Sequence, residues 1–231
     1  MTILDGGSAS GLPVTSGTFD TLEDIVLYVQ SQLKDETGVQ YDSNKILRYI
    51  NLAFIEIVKI DPTSYPVTED FTLVAGTNQT LSSDQIAIID VVCNVTGTVE
   101  GTAVTVIPRQ IIDQLIPLWR SFTANATVQH VIKEDNDKSK FYVFPPQPVG
   151  TTQKLRMIFS EIPAIVDEVD DDFPFDDSYK LPCINYILYL ILREETTVPN
   201  SLNKANMCLA QFMRQMGVSA PNVLTQVQSQ R

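Results

Sequence analysis

Helical periodicity occurs in two separate parts of this chain, and the stretch between them has the pattern of strands. Apolar residues recur at helical spacing as far as Pro62 and again from Leu181. Between these points β-branched and aromatic residues alternate or form short runs. The order predicts an α+β fold, a helical bundle formed by the N- and C-terminal helix pairs with an inserted antiparallel β domain.

Four main helices follow from the apolar spacing and its flanking signals. The first covers Leu22 to Leu33 behind Asp20 or Thr21 as cap, and the second begins at Asp42 or Ser43. We expect these two helices to form a helical hairpin. Two further helices follow an acidic loop, one with its apolar stripe from Leu181 to Leu192 and one from about Ser201 to Met216 that Gly217 ends.

The strand-like middle of the chain is predicted to be mainly antiparallel. Its candidate strands are Phe71–Ala75, Thr80–Leu81, Ile86–Val95, Val104–Ile107, Val128–Lys133, Lys140–Phe144 and Lys154–Ser160. The turn sequence Asp135-Asn136-Asp137-Lys138 predicts a hairpin, and the last three strands are expected to form a meander. Apolar residues between Arg109 and Phe122 predict one short inserted helix, since Pro108 is a favourable start.

These elements predict five regions along the chain. Residues 1–19 form a flexible N-terminal arm, and 20–66 together with 177–217 form the helical bundle. Residues 67–162 form the β insertion with one short helix, 163–176 an acidic loop and 218–231 a C-terminal tail.

The charge balance limits the partners that such a chain can hold tightly. It has 16 basic and 28 acidic residues and a net charge of −12, which opposes tight binding to a nucleic-acid backbone. No apolar run is long enough to cross a bilayer, and the first residues lack the pattern of a secretory signal. Three widely spaced cysteines form no disulfide framework, so we expect synthesis in a reducing cytosol.

The residues that usually carry catalysis or bind cofactors form no recognisable set. The single histidine, His130, has no partners that the sequence points to for a triad or a metal site, and phosphate-binding and nucleophile motifs are missing. Seven carboxylates between Asp167 and Asp177 suggest calcium, but the loop lacks the glycine and terminal glutamate of an EF-hand. A solvated acidic loop is the favoured interpretation. We therefore predict no enzyme activity, no catalytic residues, no metal and no cofactor.

Aromatic residues of the middle region have two possible roles. Trp119 with Phe122 could form a stacking platform for a sugar or a base, although helical spacing with Leu115 favours core or interface. With Tyr142 and Phe144 they are the candidate interface residues.

Several short segments resemble, in the same order, the head-to-tail adaptor proteins of tailed bacteriophages, the connectors that include tail tubular protein A. The matching segments are Tyr49-Ile50-Asn51, Phe71–Leu81, Val92-Cys93-Asn94, Pro117-Leu118-Trp119 and Phe141-Tyr-Val-Phe-Pro-Pro146. The likeness covers residues 20 to 217. It implies a structural protein of the virion neck, assembled in the host bacterial cytoplasm.

The resemblance also implies partners. About a dozen copies would form a ring below the portal protein, receive the tail nozzle protein and line the DNA passage without sequence-specific binding, with no membrane involved. We expect the C-terminal tail to dock on the portal through Gln226, Gln228, Gln230 and Arg231, whose side chains can pair with a partner groove. The alternatives are a carbohydrate-binding module and another minor virion tail module.

Overall fold

The computed structural model describes residues 21–134, 137–195 and 200–218, and these residues form five α-helices and eight strands. The helices are α1 Leu22–Leu33, α2 Ser43–Ile60, α3 Arg109–Leu115, α4 Lys180–Glu194 and α5 Ser201–Gln215. The strands are β1 Pro66–Thr72, β2 Gly76–Thr80, β3 Gln85–Thr96, β4 Val99–Ala103, β5 Thr105–Pro108, β6 His130–Lys133, β7 Lys140–Gln147 and β8 Lys154–Glu161. Two 3₁₀ turns lie at Trp119–Ser121 and Asp177–Tyr179.

The starts of α1 and α2 are fixed by side-chain caps. Thr21 accepts a hydrogen bond from the backbone of Asp24, and the carboxylate of Asp24 accepts one from the backbone of Thr21. Asp42 caps α2 by accepting from the backbone N–H of Lys45 at 2.7 Å. Each cap is one of the two residues that the sequence offered for its helix.

The strands form two four-stranded sheets whose order does not follow the chain. The first sheet has the order β1-β8-β3-β4, and the second β2-β7-β6-β5. Their neighbouring strands are antiparallel except for β5 and β6, which run parallel with Thr105 opposite His130. The predicted strand at 86–95 is confirmed as part of β3, and the hairpin of β6 and β7 is confirmed as an antiparallel pair.

The predicted architecture of a helical bundle with one inserted antiparallel domain is wrong, and only the α+β class holds in part. Helices α1 and α2 approach each other at few positions and do not form the expected hairpin, since α2 packs mainly on α4. The meander is also wrong, because β8 lies between β1 and β3 and not beside β7. Apolar spacing shows which face of an element is buried but not which partner covers that face.

The largest core joins four helices to the loop that follows β8. Apolar residues of α1, α2, α4 and α5 form one cluster, and Val166 and Phe175 from the loop are buried in it. Phe54 of α2 contacts the rings of Phe173 and Phe175 edge to face at 5.6 and 5.1 Å. The helices therefore complete their core with loop residues.

Two smaller cores belong to the sheets. One includes Leu73, Phe141, Leu155, Met157 and Phe159 and lies among strands of both sheets. The other consists of Ile112, Trp119, Ile132 and Phe144, where α3 and the turn after it cover strands β6 and β7. This last core supports the candidate site.

Candidate assembly surface

Residues 109–122 lie over one end of the second sheet and are anchored there by two side chains. Ile112 and Trp119 are fully buried. The indole of Trp119 donates a hydrogen bond to Asp113 at 2.7 Å and contacts the ring of Tyr142 edge to face at 5.7 Å. The segment therefore has a fixed inner side, which determines which residues face outward.

Four other residues of the same segment are apolar and exposed. Leu115 and Leu118 are 75% and 77% exposed, and Ile111 and Phe122 are each about half exposed. We call these four residues the α3 face. Isolated exposed apolar residues are common on proteins, but four large ones within a dozen positions indicate an interaction surface.

Cations lie beside the α3 face. Arg120 is stacked over Trp119 at 4.2 Å and forms an ion pair with Asp113 at 3.4 Å. Arg109 donates two hydrogen bonds to the carboxylate of Glu134 at 2.8 and 2.9 Å. The hydrogen bond from Trp119, helped by both arginines, holds the pKa of Asp113 below its usual range, despite some desolvation. Between residues 101 and 133 the sequence has three cations, Arg109, Arg120 and Lys133, and a single carboxylate.

The acidic loop of residues 163–176 has the opposite character. It contains six carboxylates and no lysine or arginine, and Asp177 directly follows it. Asn51 of α2 fixes the loop, since its amide donates to the carbonyl of Val166 at 2.8 Å and accepts from the N–H of Val166 at 3.0 Å. Asp171 accepts from the backbone N–H groups of Asp167 and Glu168. Ile165, beside the buried Val166, is 82% exposed, so the loop presents one apolar side chain next to several carboxylates.

The predicted interface residues lie close together, but they differ in burial. Trp119 and Phe144 are buried within the chain. Tyr142 is partly buried, and its ring contacts that of Trp119. Phe122 is exposed and contacts Phe144 at 5.3 Å. Of the four, Phe122 and Tyr142 therefore remain available for an interface. The predicted portal-docking residues Gln226, Gln228, Gln230 and Arg231 lie outside the described residues.

The sequence did not single out Leu115, Leu118 or Ile165 as surface residues. Helical spacing predicts Leu115 in the apolar stripe of the inserted helix, but α3 ends at Leu115 and Pro117 follows just beyond the helix. Ile116 still packs against the small core with Ile112 and Trp119, so only the side of α3 that carries Ile111 and Leu115 is exposed. Pro117 was the one signal that the helix ends before the apolar stripe does.

The residues considered for chemistry have ordinary structural partners. The Nδ1 of His130 lies 2.6 Å from the hydroxyl of Thr105, and its ring stacks on Phe144 at 6.0 Å. Within ranges 21–134, 137–195 and 200–218, no three histidine, cysteine or carboxylate side chains are grouped so that they could hold a metal ion. In the same ranges, no helix combines the length and apolar character needed to cross a membrane.

Comparison with known proteins gives one finding on family. Residues 20–231 match the family model described as SU10 adaptor protein. No curated protein matches the chain. The matched range includes every helix and strand described above.

Proposed function

The chain belongs to the SU10 adaptor protein family, a family of phage head-to-tail adaptors, and from this we propose that it forms a ring below the portal of a phage head. The resemblance to head-to-tail adaptors is thereby confirmed, and the chain is a structural component of a virion. In the proposed ring the chain joins the head to the tail nozzle and lines the DNA passage. Its role is mechanical and includes no catalytic step.

The α3 face is the structural observation that supports a ring. A subunit that acts alone gains nothing from four large apolar side chains in water, whereas a neighbour that covers them contributes free energy from burial. Closed homo-oligomers are the usual way to cover such a surface on every copy. About a dozen copies would match the symmetry expected of a connector below a portal.

The net charge of −12 fits a conduit for DNA. Carboxylates repel the phosphate backbone, so DNA can slide past them without the tight contacts that basic proteins make. We propose that packaged DNA passes through the ring without sequence-specific binding.

The three free cysteines are consistent with assembly in the reducing cytoplasm of the host. Cys93 and Cys183 are buried and Cys208 is half-buried, and all three are free. Burial raises the pKa of the Cys208 thiol, which disfavours the reactive thiolate. A subunit with these thiols requires no oxidising compartment to fold.

A carbohydrate-binding role is favoured less. Such a module would present several exposed aromatic rings on a sheet. In the described part of the chain the exposed aromatic residues are Tyr28, on α1, and Phe122, beyond the 3₁₀ turn, and neither lies in a strand.

The proposal is tested by mixing the purified chain with purified portal rings and imaging the mixture by negative-stain electron microscopy. We expect an added ring of density on one end of the portal. A chain that stays monomeric and leaves the portal unchanged at micromolar concentrations would contradict the proposed function.

The C-terminal tail gives a second test within the same assay. We propose that residues after Gly217 dock on the portal through Gln226, Gln228, Gln230 and Arg231. Deletion of Val218–Arg231 should leave thermal unfolding unchanged and abolish co-sedimentation with portal rings, because helix α5 ends before the deletion. Equal co-sedimentation of the truncated and full-length chains would place the docking site elsewhere, with the N-terminal arm of residues 1–19 as the next candidate.

A further inference from the structure

We infer that the α3 face of one subunit binds the acidic loop of the next subunit, with Ile165 seated among Leu115, Leu118 and Phe122. The inference rests on the proposed ring and names the two surfaces that meet in it. Both surfaces are present on the same chain, so a second copy supplies the partner that each requires.

The two surfaces are complementary in apolar character. The α3 face offers four exposed apolar side chains, whereas the loop offers Ile165 as a single exposed apolar projection. Burial of such side chains is the main source of affinity at protein interfaces, and one projecting anchor against several partners is the usual arrangement.

The two surfaces are also complementary in charge. Arg120 lies beside the α3 face. Its ion pair with Asp113 at 3.4 Å leaves the guanidinium half exposed, so it has N–H groups left to donate to a further carboxylate. Asp167 and Glu168 follow Ile165 by two and three residues and are exposed. A loop that places Ile165 on the face would therefore bring these carboxylates near a cation, which favours this pairing over contact between two acidic surfaces.

The loop is held in shape before it binds. Asn51 hydrogen-bonds both backbone groups of Val166, and Val166 and Phe175 are buried in the helical core. A projection that is already ordered loses little conformational entropy on binding. Ile165 directly precedes the fixed Val166, so its backbone is already ordered and it is a suitable anchor.

The arrangement predicts a heterologous contact. The α3 face is carried by the segment whose anchors Ile112 and Trp119 lie in the small core, whereas the loop is anchored in the helical core. A contact between two different surfaces leaves one free face and one free loop on each pair, so further copies add in the same direction. They close into a ring when the rotation between neighbouring copies divides a full turn evenly.

Cysteine cross-linking tests the contact. Leu118→Cys and Ile165→Cys are each introduced into the full-length chain, and both variants are mixed, assembled and oxidised with a copper catalyst. We expect a cross-linked dimer from the mixture and not from either variant alone, because a disulfide requires Cα atoms within about 7 Å. The matched control pair is Val149→Cys with Ile165→Cys, since Val149 is also fully accessible but lies on the β7–β8 loop.

A charge exchange provides a second readout that does not depend on oxidation. Arg120→Glu should raise the dissociation constant between subunits by about tenfold or more, and Asp167→Arg in the same chain should restore part of the loss. Thermal unfolding of both variants checks that they are folded.

The outcomes separate the inference from the proposed function. Rings that form without the Leu118–Ile165 cross-link, and that tolerate Arg120→Glu, would overturn the inference and leave the proposed function in place. A cross-link from Leu118→Cys alone, in a chain that also carries Cys208→Ser, would overturn it as well, since the remaining native thiols are buried and that result requires two faces to meet. A chain that forms no ring, with or without portal, would contradict both.

Discussion

The helical core and the α3 region use apolar residues in opposite ways. In the helical core the stripes of α1, α2 and α4 are almost wholly buried, and the exposed large apolar residues of these three helices are scattered: Leu27, Tyr28, Leu52 and Leu181. In the α3 region two anchors are buried, while the four residues of the α3 face point to solvent within a dozen positions. The helical core therefore explains how the subunit folds, and the α3 region indicates how it meets another molecule.

The helical core should carry most of the stability of the subunit. Phe54→Ala removes a fully buried ring that contacts Phe173 and Phe175, so we expect the free energy of unfolding to fall by about 3–5 kcal/mol. Leu52→Ala on the same helix is the control, since Leu52 is half exposed and should cost less than about 1 kcal/mol. Denaturant unfolding measures both, and equal losses would break the distinction between core and surface.

The attachment of the acidic loop should have an intermediate effect. Asn51→Ala removes two hydrogen bonds to the backbone of Val166 and leaves those groups without these partners, at a cost of about 1–3 kcal/mol. Asn185→Ala is a matched control, because Asn185 also forms two hydrogen bonds but is more exposed. Hydrogen exchange of the loop amides should increase in the first variant only. Unchanged exchange would show that the burial of Val166 and Phe175 alone fixes the loop.

The sequence predicted local features, such as helix caps, better than contacts between residues far apart in the chain. Thr21 and Asp42 were among the expected caps because a short polar side chain before an apolar stripe has a local physical reason to be there. The bond between Asn51 and Val166 joins residues far apart in the chain, and no periodicity reveals it. For the same reason the place of β8 between β1 and β3 was missed. Strand β4, which is fully exposed, has no alternating pattern and was not predicted at all.

The α3 face was predictable only in part. The sequence named Trp119, Phe122, Tyr142 and Phe144 as interface candidates, and the structure places Trp119 and Phe144 in the core. The residues that form the surface, such as Leu118, are aliphatic and look like further core positions in a sequence. Their exposure depends on which side of the segment packs against the small core, and apolar spacing alone does not reveal this.

Acid should weaken the hydrogen bonds that the Asp61 carboxylate accepts at the end of α2. Burial raises the pKa of Asp61, but hydrogen bonds from Thr63 and Tyr179 outweigh it, so the pKa is lowered overall. A lowered carboxyl pKa contributes stability above the pKa of the unfolded chain, and this stability is lost as the pH falls through the folded pKa. The stability advantage of the native chain over Asp61→Asn should therefore shrink below about pH 4. Denaturant curves at neutral and acidic pH check this, and a constant difference would show that the carboxylate charge plays no part.

The smallest effect on folding is expected at the α3 face itself. Leu118 is 77% exposed and belongs to none of the three core clusters, so Leu118→Ser should change the free energy of unfolding by less than about 0.5 kcal/mol. Val149→Ser on the β7–β8 loop should have the same small effect. The two variants should differ in association, because only Leu118 lies on the surface inferred to bind a neighbour. Sedimentation velocity should show a loss of assembled species for Leu118→Ser and none for Val149→Ser. If Leu118→Ser instead destabilises the subunit as much as Phe54→Ala does, Leu118 belongs to the core. The contrast between a buried helical core and an exposed α3 face would then be wrong at Leu118.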